Sequence, residues 1–375
     1  MSFDFEGRWA TAASLMRARG IDAMFVMKPT NLAYLTGDGR PCALGLLTST
    51  GRFVVAVPEC DLASVRAASH ATDVRSFRSE DEMFHGFRDV LTELGLDEAT
   101  VALEKNFFDA ALHEVFSAHI LPRATVVSAT PVMSALRMRK DAQEIELLRH
   151  AAEVADVGMD AAVHAVRAGT SETLVAAEAE YAMRKSGAQG WAAPTYVASG
   201  WRSAMAHGPA SSKTIEAGEV VQVHVAPVID GYTVDLCRTT LPDDAPSEAS
   251  ADLEVYLEAQ QAGIAAAIPG APLLGIDAAM ANVLETRGYA DRFLRPTFHG
   301  VGMEHEEAPI PGGHAVIHGE EQVEDVQAGM VLAIGNCGIY RQNYGVRAED
   351  TIWISPDGPI ALTRYPKNPP TQRPV

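Results

Sequence analysis

The stretch that most narrows what this chain can fold into is EVVQVHVAPVIDGYTVDLCRTT, from Glu219 to Thr240. It predicts two strands joined through Asp230-Gly231, a pair that tolerates the positive φ a tight hairpin demands. Val221, Val223 and Val225 alternate onto one face of the first strand, while Gln222 and His224 take the other. Thr233, Asp235 and Cys237 share a face of the second. Closing the hairpin therefore brings His224 and Asp235 into one neighbourhood inside a β-rich core. A buried charge costs roughly several kcal/mol unless it is paired or bound to a metal. Two readings are open: a satisfied His–Asp pair that only ties the hairpin, or part of a functional site.

A length of 375 residues exceeds one ordinary core, so two domains are expected. Hydrophobic residues at 47% and charged residues at 21% are those of a globular protein, and no apolar run reaches bilayer-spanning length. The opening MSFDFEGRW has no basic region followed by an apolar one, so the expected address is the cytoplasm, with no membrane partner. A net charge of −19 argues against nucleic acid, whose phosphates it would repel. Cys42, Cys60, Cys237 and Cys337 are scattered without metal-ligand or disulfide spacing and are expected to be reduced thiols.

Residues 1–135 alternate helical and strand-like segments, which predicts a mixed or mostly parallel sheet covered by helices. The helix GRWATAASLMRARG ends at Gly20, and strands come next in DAMFVMK, ALGLLTS, RFVVAVP and TVALE. Gly37-Asp38-Gly39 lacks the third glycine of a dinucleotide fingerprint and is expected to be a turn. The polar segment SALRMRKDA marks the boundary, so the second domain is expected over 136–375. It opens with two amphipathic helices, the second capped by Ser171, then turns β-rich, with a further helical region between.

Five stretches of this second half carry polar residues that a core would not choose. They hold His207, the His224/Asp235 hairpin, His299 in TFHGVGMEHEE, Asn336 in IGNCGIY, and Glu349 in YGVRAEDTIWIS. His, Asp and Glu are the usual ligands of Zn, Mn or Fe, and strand alternation allows several of them to converge on one sheet face. The loop from 303 to 320, with Pro309, Pro311, Gly312, Gly313, His314 and His318, suits a substrate-facing position, its two histidines being read as solvent-exposed.

These words in this order resemble the pita-bread family of prolidase, aminopeptidase P and creatinase, over essentially the whole chain. YLTG at Tyr34 to Gly37 is typical of the family's N-terminal domain, and RMRKDAQEIELLRHAAEVAD is similar to the helix that opens its catalytic domain. DGYTVDLCRTT, FHGVGMEHEE and GVRAEDTIWIS are similar to its aspartate, histidine and final glutamate segments. The resemblance implies an α/β two-domain chain: a creatinase/prolidase-type α/β domain followed by a pita-bread α+β domain. It also implies a homodimer, with the region around Tyr34 to Arg40 near the partner's pocket.

Family peptidases hold two metals with two aspartates, one histidine and two glutamates. Carried over by position, Asp235, His299 and Glu349 match that set. His224 stands where the first aspartate belongs, Gly335 and Asn336 stand in place of the first glutamate, and His305-Glu306 replaces the second histidine of its segment. With two carboxylates fewer, a dinuclear centre is not expected; the expectation is either no metal or one divalent ion (Zn, Mn or Fe) on His224, Asp235, His299 and Glu349. The resemblance implies His207, His299, Glu306 and Glu349 as catalytic groups. Arg202, His305, Arg347 and Tyr34 are the candidates for gripping a small-molecule substrate, the two arginines through a carboxylate, although a surface or structural ion pair is the favoured reading of each arginine. The leading expectation is a hydrolase that cleaves a C–N bond in a small polar, non-peptide substrate by acid–base chemistry. A metal-dependent Xaa-Pro dipeptidase or aminopeptidase with an altered site is the alternative, and a lyase or a catalytically dead binding domain comes after it.

Overall fold

The structure is a computed structural model that describes residues 3–312 and 323–369. Gly313, His314 and His318 of the 303–320 loop lie outside the described residues. The chain divides into two compact units with the boundary between Arg137 and Met138. Among the described residues no helix is long and apolar enough to cross a membrane.

In the N-terminal unit the strands are β1 Ala23–Val26, β2 Leu44–Thr48, β3 Phe53–Pro58, β4 Asp73–Phe77, β5 Thr100–Leu103 and β6 Thr125–Ser128. They form one mixed sheet in the order β4-β3-β2-β1-β5-β6. The β1–β2–β3 steps are antiparallel and the outer pairings parallel. Helices α1 Phe5–Ala18, α2 Pro29–Thr36, α3 Leu62–Ala68, α4 Glu80–Glu93, α5 Ala110–Val115 and α6 Thr130–Arg137 complete the unit. Apolar runs such as LGLLT and FVVAV are buried along nearly their whole length, as expected of strands covered on both faces. One side of the sheet is sealed by aromatic packing, Phe25 meeting Phe87 and Phe116 edge to face at centroid distances of 5.4 and 5.3 Å. Gly37 ends α2 at φ +82°, which makes the Gly-Asp-Gly segment a helix stop leading into a turn.

The C-terminal unit opens with α7 Ala142–Ala165 and α8 Glu172–Lys185. Next come strands β7 Gly190–Trp191, β8 Tyr196–Ser199, β9 Val221–Val225, β10 Pro227–Ile229, β11 Tyr232–Thr233 and β12 Leu236–Thr240. After the helix pair α9 Ser247–Ala266 and α10 Leu274–Thr286 come β13 Phe298–Gly300, β14 Val331–Ile334, β15 Ile339–Tyr340, β16 Gly345–Val346, β17 Asp350–Ser355 and β18 Gly358–Ala361. Two small sheets, β12-β9-β8 and β13-β14-β17-β18, carry the polar residues of this unit's interior.

The central hairpin is not the pair of continuous strands that alternation predicts. Asp230 and Gly231 do take the turn, at φ +48° and +85°. The tip, however, pairs β10 with β11 and β7 in a separate sheet, while β9 and β12 pair below it. The second strand breaks at Asp235, whose backbone N–H bonds the Thr351 hydroxyl at 2.8 Å instead of a ladder partner. GMVLAIGNCGIY is likewise split, because Gly335 at φ +120° ends β14.

Helix α7 begins with a capping box. The Asp141 carboxylate accepts from the Gln143 and Glu144 amides at 2.8 and 2.9 Å, and Glu144 returns a bond to the Asp141 amide at 2.9 Å. Glu144 also accepts from the Tyr232 hydroxyl at 2.9 Å, which ties the helix start to β11. Replacing the cap, Asp141→Ala, should lower unfolding stability by about 0.5–2 kcal/mol, read as a drop in the urea midpoint; an unchanged midpoint would show that the box contributes nothing.

Candidate metal and catalytic site

Register builds the site. His224 on β9 lies opposite Tyr196 on β8 and opposite Cys237 on β12. Cys237 in turn exchanges two backbone bonds with Glu349, at 3.2 and 3.1 Å, joining the two sheets. Tyr196, His224, Cys237 and Glu349 therefore form one row across four chain segments, and Asp235 enters from the break just before β12. His299 arrives on β13, opposite Ala333 of β14, which itself pairs with β17.

Asp235 and Glu349 are completely buried, and His299 and His224 nearly so. Each carboxylate is divided in the same way. One oxygen takes a donor from the protein: His224 Nε2 bonds Asp235 Oδ1, and Arg347 Nη2 bonds Glu349 Oε2. The other oxygens, Asp235 Oδ2 and Glu349 Oε1, have no hydrogen-bond partner, and neither has His299 Nε2. That nitrogen lies 3.5 Å from Asp235 Oδ2 and 3.8 Å from Glu349 Oε1. His299 Nδ1 is bonded to the Gly300 carbonyl at 3.0 Å and must be its N–H donor, which assigns the lone pair to Nε2 when the ring is neutral.

Three lone-pair atoms facing one another in a buried site favour a proton or a cation between them. A proton is one solution. Burial alone would lower the His299 pKa, but the close approach and charge of Asp235 and the charge of Glu349 raise it to about 9. A divalent ion is the other. Four-coordinate Zn with bonds of about 2.0–2.1 Å separates its ligands by about 3.3 Å, so the observed spacings need to contract only slightly to close on it. Burial tends to raise the Asp235 carboxyl, yet attraction to His224 and His305 holds it well below the usual range. Glu349 goes the other way, its pKa raised by burial against the opposing charge of Arg347. The donor set of Asp235, His299 and Glu349 can hold a divalent ion, and the groups His224/Asp235/His305 and His299/His305/Glu306 overlap it.

His305 stands at the open side, about a quarter exposed, with Nε2 at 3.5 Å from Asp235 Oδ2. Burial lowers its pKa to about 4, so it is neutral near pH 7. Ligand atoms of His299, His305 and Glu306 lie within 4.8 Å of one another, which brings Glu306 to the same mouth. His207 is exposed beside it, its ring 6.1 Å from that of Tyr196, which stacks on His224 at 5.3 Å. Partial burial, and then the nearby Arg347 charge, lower the His207 pKa.

Three of the candidate substrate-binding residues are engaged by the protein's own groups. The Arg202 guanidinium bonds buried Glu172 at 3.0 Å and the Pro209 carbonyl at 2.6 Å, so it braces the 199–211 loop. Tyr34 is buried in α2 of the N-terminal unit; its hydroxyl bonds the Leu136 carbonyl at 3.0 Å and Arg8 lies 4.0 Å over its ring. Arg347 is buried too, and grips a carboxylate of the protein, Glu349, rather than presenting itself to a substrate. Sequence reasoning missed Tyr196, whose only signal is a tyrosine in a short strand, and the Lys140–Glu307 ion pair. Glu307 contacts Lys140 at 2.9 Å and accepts from the Met303 and Glu304 amides at 3.1 and 3.2 Å, pinning the loop that carries His305.

Residues 146–356 match the profile of metallopeptidase family M24, and residues 8–139 that of the creatinase/prolidase N-terminal domain. The Xaa-Pro dipeptidase of Pyrococcus furiosus is 32% identical over 353 residues, which cover 93% of this chain and 95% of that protein. Among solved structures, the prolidase from Pyrococcus horikoshii OT3 superimposes with a TM-score of 0.85 at 28% identity, over 96% of this chain and 99% of that one. An Xaa-Pro dipeptidase from Bacillus anthracis gives 0.87 at 25% identity, over 97% and 99%.

Gly335, just after β14, lies close against the backbone that precedes Glu349. A Cβ there would meet the Ala348 carbonyl oxygen at 2.1 Å, in addition to the strain of φ +120°. Gly335→Ala should therefore destabilise the protein by about 1–3 kcal/mol. Chemical denaturation measures it, and a midpoint equal to that of the unchanged protein would contradict the close approach.

Proposed function

The chain belongs to metallopeptidase family M24, and from that premise we propose that it is a metal-assisted hydrolase that cleaves the amide C–N bond of short peptides. The observation that carries the proposal is the convergence of three buried, unpartnered ligand atoms, Asp235 Oδ2, His299 Nε2 and Glu349 Oε1. Relatives named as Xaa-Pro dipeptidases make dipeptides ending in proline the first substrates to test. They favour the peptide reading over the small non-peptide substrate and metal-free chemistry expected first from the sequence.

A divalent ion held by these residues would polarise the scissile carbonyl and lower the pKa of a water. The chain's own groups do the rest. Hydrolysis delivers the water oxygen to the carbonyl carbon and one of its protons to the departing nitrogen. His299 is committed through Nδ1 to Gly300 and through Nε2 to the carboxylates, so it orients and does not shuttle that proton. His207 is the group free to do so: it is exposed at the mouth, and burial favours its neutral, proton-accepting form. His305, neutral near pH 7, lines the same opening with an N–H or a lone pair for the peptide backbone.

Two outcomes are expected. Chelator treatment should abolish hydrolysis of Xaa-Pro dipeptides, and Zn, Mn or Fe should restore it; full activity of metal-depleted protein on small amidines, with none on dipeptides, would sink the reading. His207→Ala should lower kcat by about 10²–10⁴ while metal content, measured by elemental analysis, stays the same.

A further inference from the structure

His207 has little of its own to hold it in place. It is exposed, its side chain makes no hydrogen bond among the described residues, and its ring meets Tyr196 only edge-on at 6.1 Å. Its position is therefore set by the backbone of the 199–211 loop, and one side chain closes that loop. Glu172, completely buried in the first turn of α8, takes five hydrogen bonds on its carboxylate. Oε1 accepts from the Ser199 amide and hydroxyl at 2.8 and 2.9 Å, where the loop leaves β8. Oε2 accepts from the Ser211 amide and hydroxyl at 3.1 and 2.7 Å, at the far end, and from Arg202 Nε at 3.0 Å. A helix N-terminus favours the negative charge, and the five donors replace the water it has lost.

We propose that Glu172 is the positioning residue for His207: its carboxylate clasps both ends of the 199–211 loop and so fixes where the imidazole stands at the mouth. None of its hydrogen-bond partners is a candidate metal ligand, so it acts only through the loop. The far end is also stitched to the start of α8, the Glu172 amide to the Lys213 carbonyl at 3.0 Å and the Thr173 amide to the Ser211 carbonyl at 3.1 Å. Beside His207 the loop lies flat on β8, where a Cβ added to Gly208 would meet that of Ala198 at 2.7 Å. A carboxylate suits the clasp because both of its oxygens accept; an amide in its place would turn N–H groups towards the donors at one end. Displacing a reacting group by about 1 Å can cost about 10²-fold in rate, so a residue outside the site can govern it. The inference rests on His207 as the proton carrier of the proposed hydrolysis.

A double-mutant cycle on metal-loaded protein, with dipeptides ending in proline as substrates, tests it. Glu172→Gln should lower kcat by about 10–10²-fold with KM and metal content unchanged. In the His207→Ala background the same substitution should cost less than about twofold, because its effect runs through the missing imidazole. Equal losses in both backgrounds, or an unchanged kcat, would overturn the clasp and leave the proposed function standing. Full activity of His207→Ala would remove His207 from the reaction, and this inference with it. Backbone hydrogen exchange gives a readout besides activity: the Ser199 and Ser211 amides should lose protection in Glu172→Gln while α9 and α10 keep theirs. Protection lost throughout the chain would show a general loosening and also overturn the proposal. Should the glutamine variant not fold, Ser211→Ala, which removes one hydroxyl donor from the clasp, is carried through the same cycle with the same expected non-additivity.

Discussion

The site depends on one junction, the pair of backbone hydrogen bonds between Cys237 and Glu349 at 3.2 and 3.1 Å. It sets the register between the sheet that carries His224 and the sheet that carries His299, and bonds between Asp235 and Thr351 and between Thr239 and Arg347 extend it on either side. Fully buried Arg238 locks this junction. It donates to the Cys237 and Glu349 carbonyls, both at 2.8 Å, and to Asp350 at 2.6 Å, and it reaches the Tyr365 carbonyl at 2.7 Å. A guanidinium with five donors suits this place, because the crossing of two sheet edges leaves several carbonyls to satisfy at once. The segment after β18 is held by the same side chain, so the C-terminal turn and the site share one anchor.

Around that junction the electrostatics are unusual for a core. Two carboxylates, three imidazoles and a guanidinium lie within a few ångströms, where desolvation penalises every charge. The arrangement is tolerable because each carboxylate is half satisfied by a protein donor and half directed at His299. The remaining halves are where chemistry is possible, since an atom with no partner in a dry site is held ready for a ligand. Protein donors thus bind one set of oxygens and leave a second set for the reaction.

Much of this was legible locally. The Asp230-Gly231 turn, the His224/Asp235 neighbourhood and the two-domain order could be read from alternation and from the order of short words, and His305 and Glu306 do come to the mouth. What escaped were partners distant in sequence. For Arg202 an ion pair is the favoured reading, but its partner, Glu172 thirty residues earlier, shows only in the fold. Tyr34 reads as a site residue until its hydroxyl is found on the Leu136 carbonyl. Nothing local singles out Lys140 and Glu307, and only folding buries them against each other.

The sequence by itself determined which residues are available: a pattern of strands and turns, a histidine where a carboxylate would be expected, and a glycine and an asparagine in place of a glutamate. The strands and turns follow from periodicities two and 3.6 residues long, which act between neighbours, and the departures at positions 224, 335 and 336 from the resemblance to the family's segments. Only the tertiary structure decided how Asp235 and Glu349 divide their oxygens between protein and open site, and that Arg347 faces inward to Gly335, Asn336 and Glu349. Those outcomes depend on sheet register across more than a hundred residues, from Cys237 to Glu349, and on burial, which turns an ordinary hydrogen bond into a charge that the rest of the site must answer.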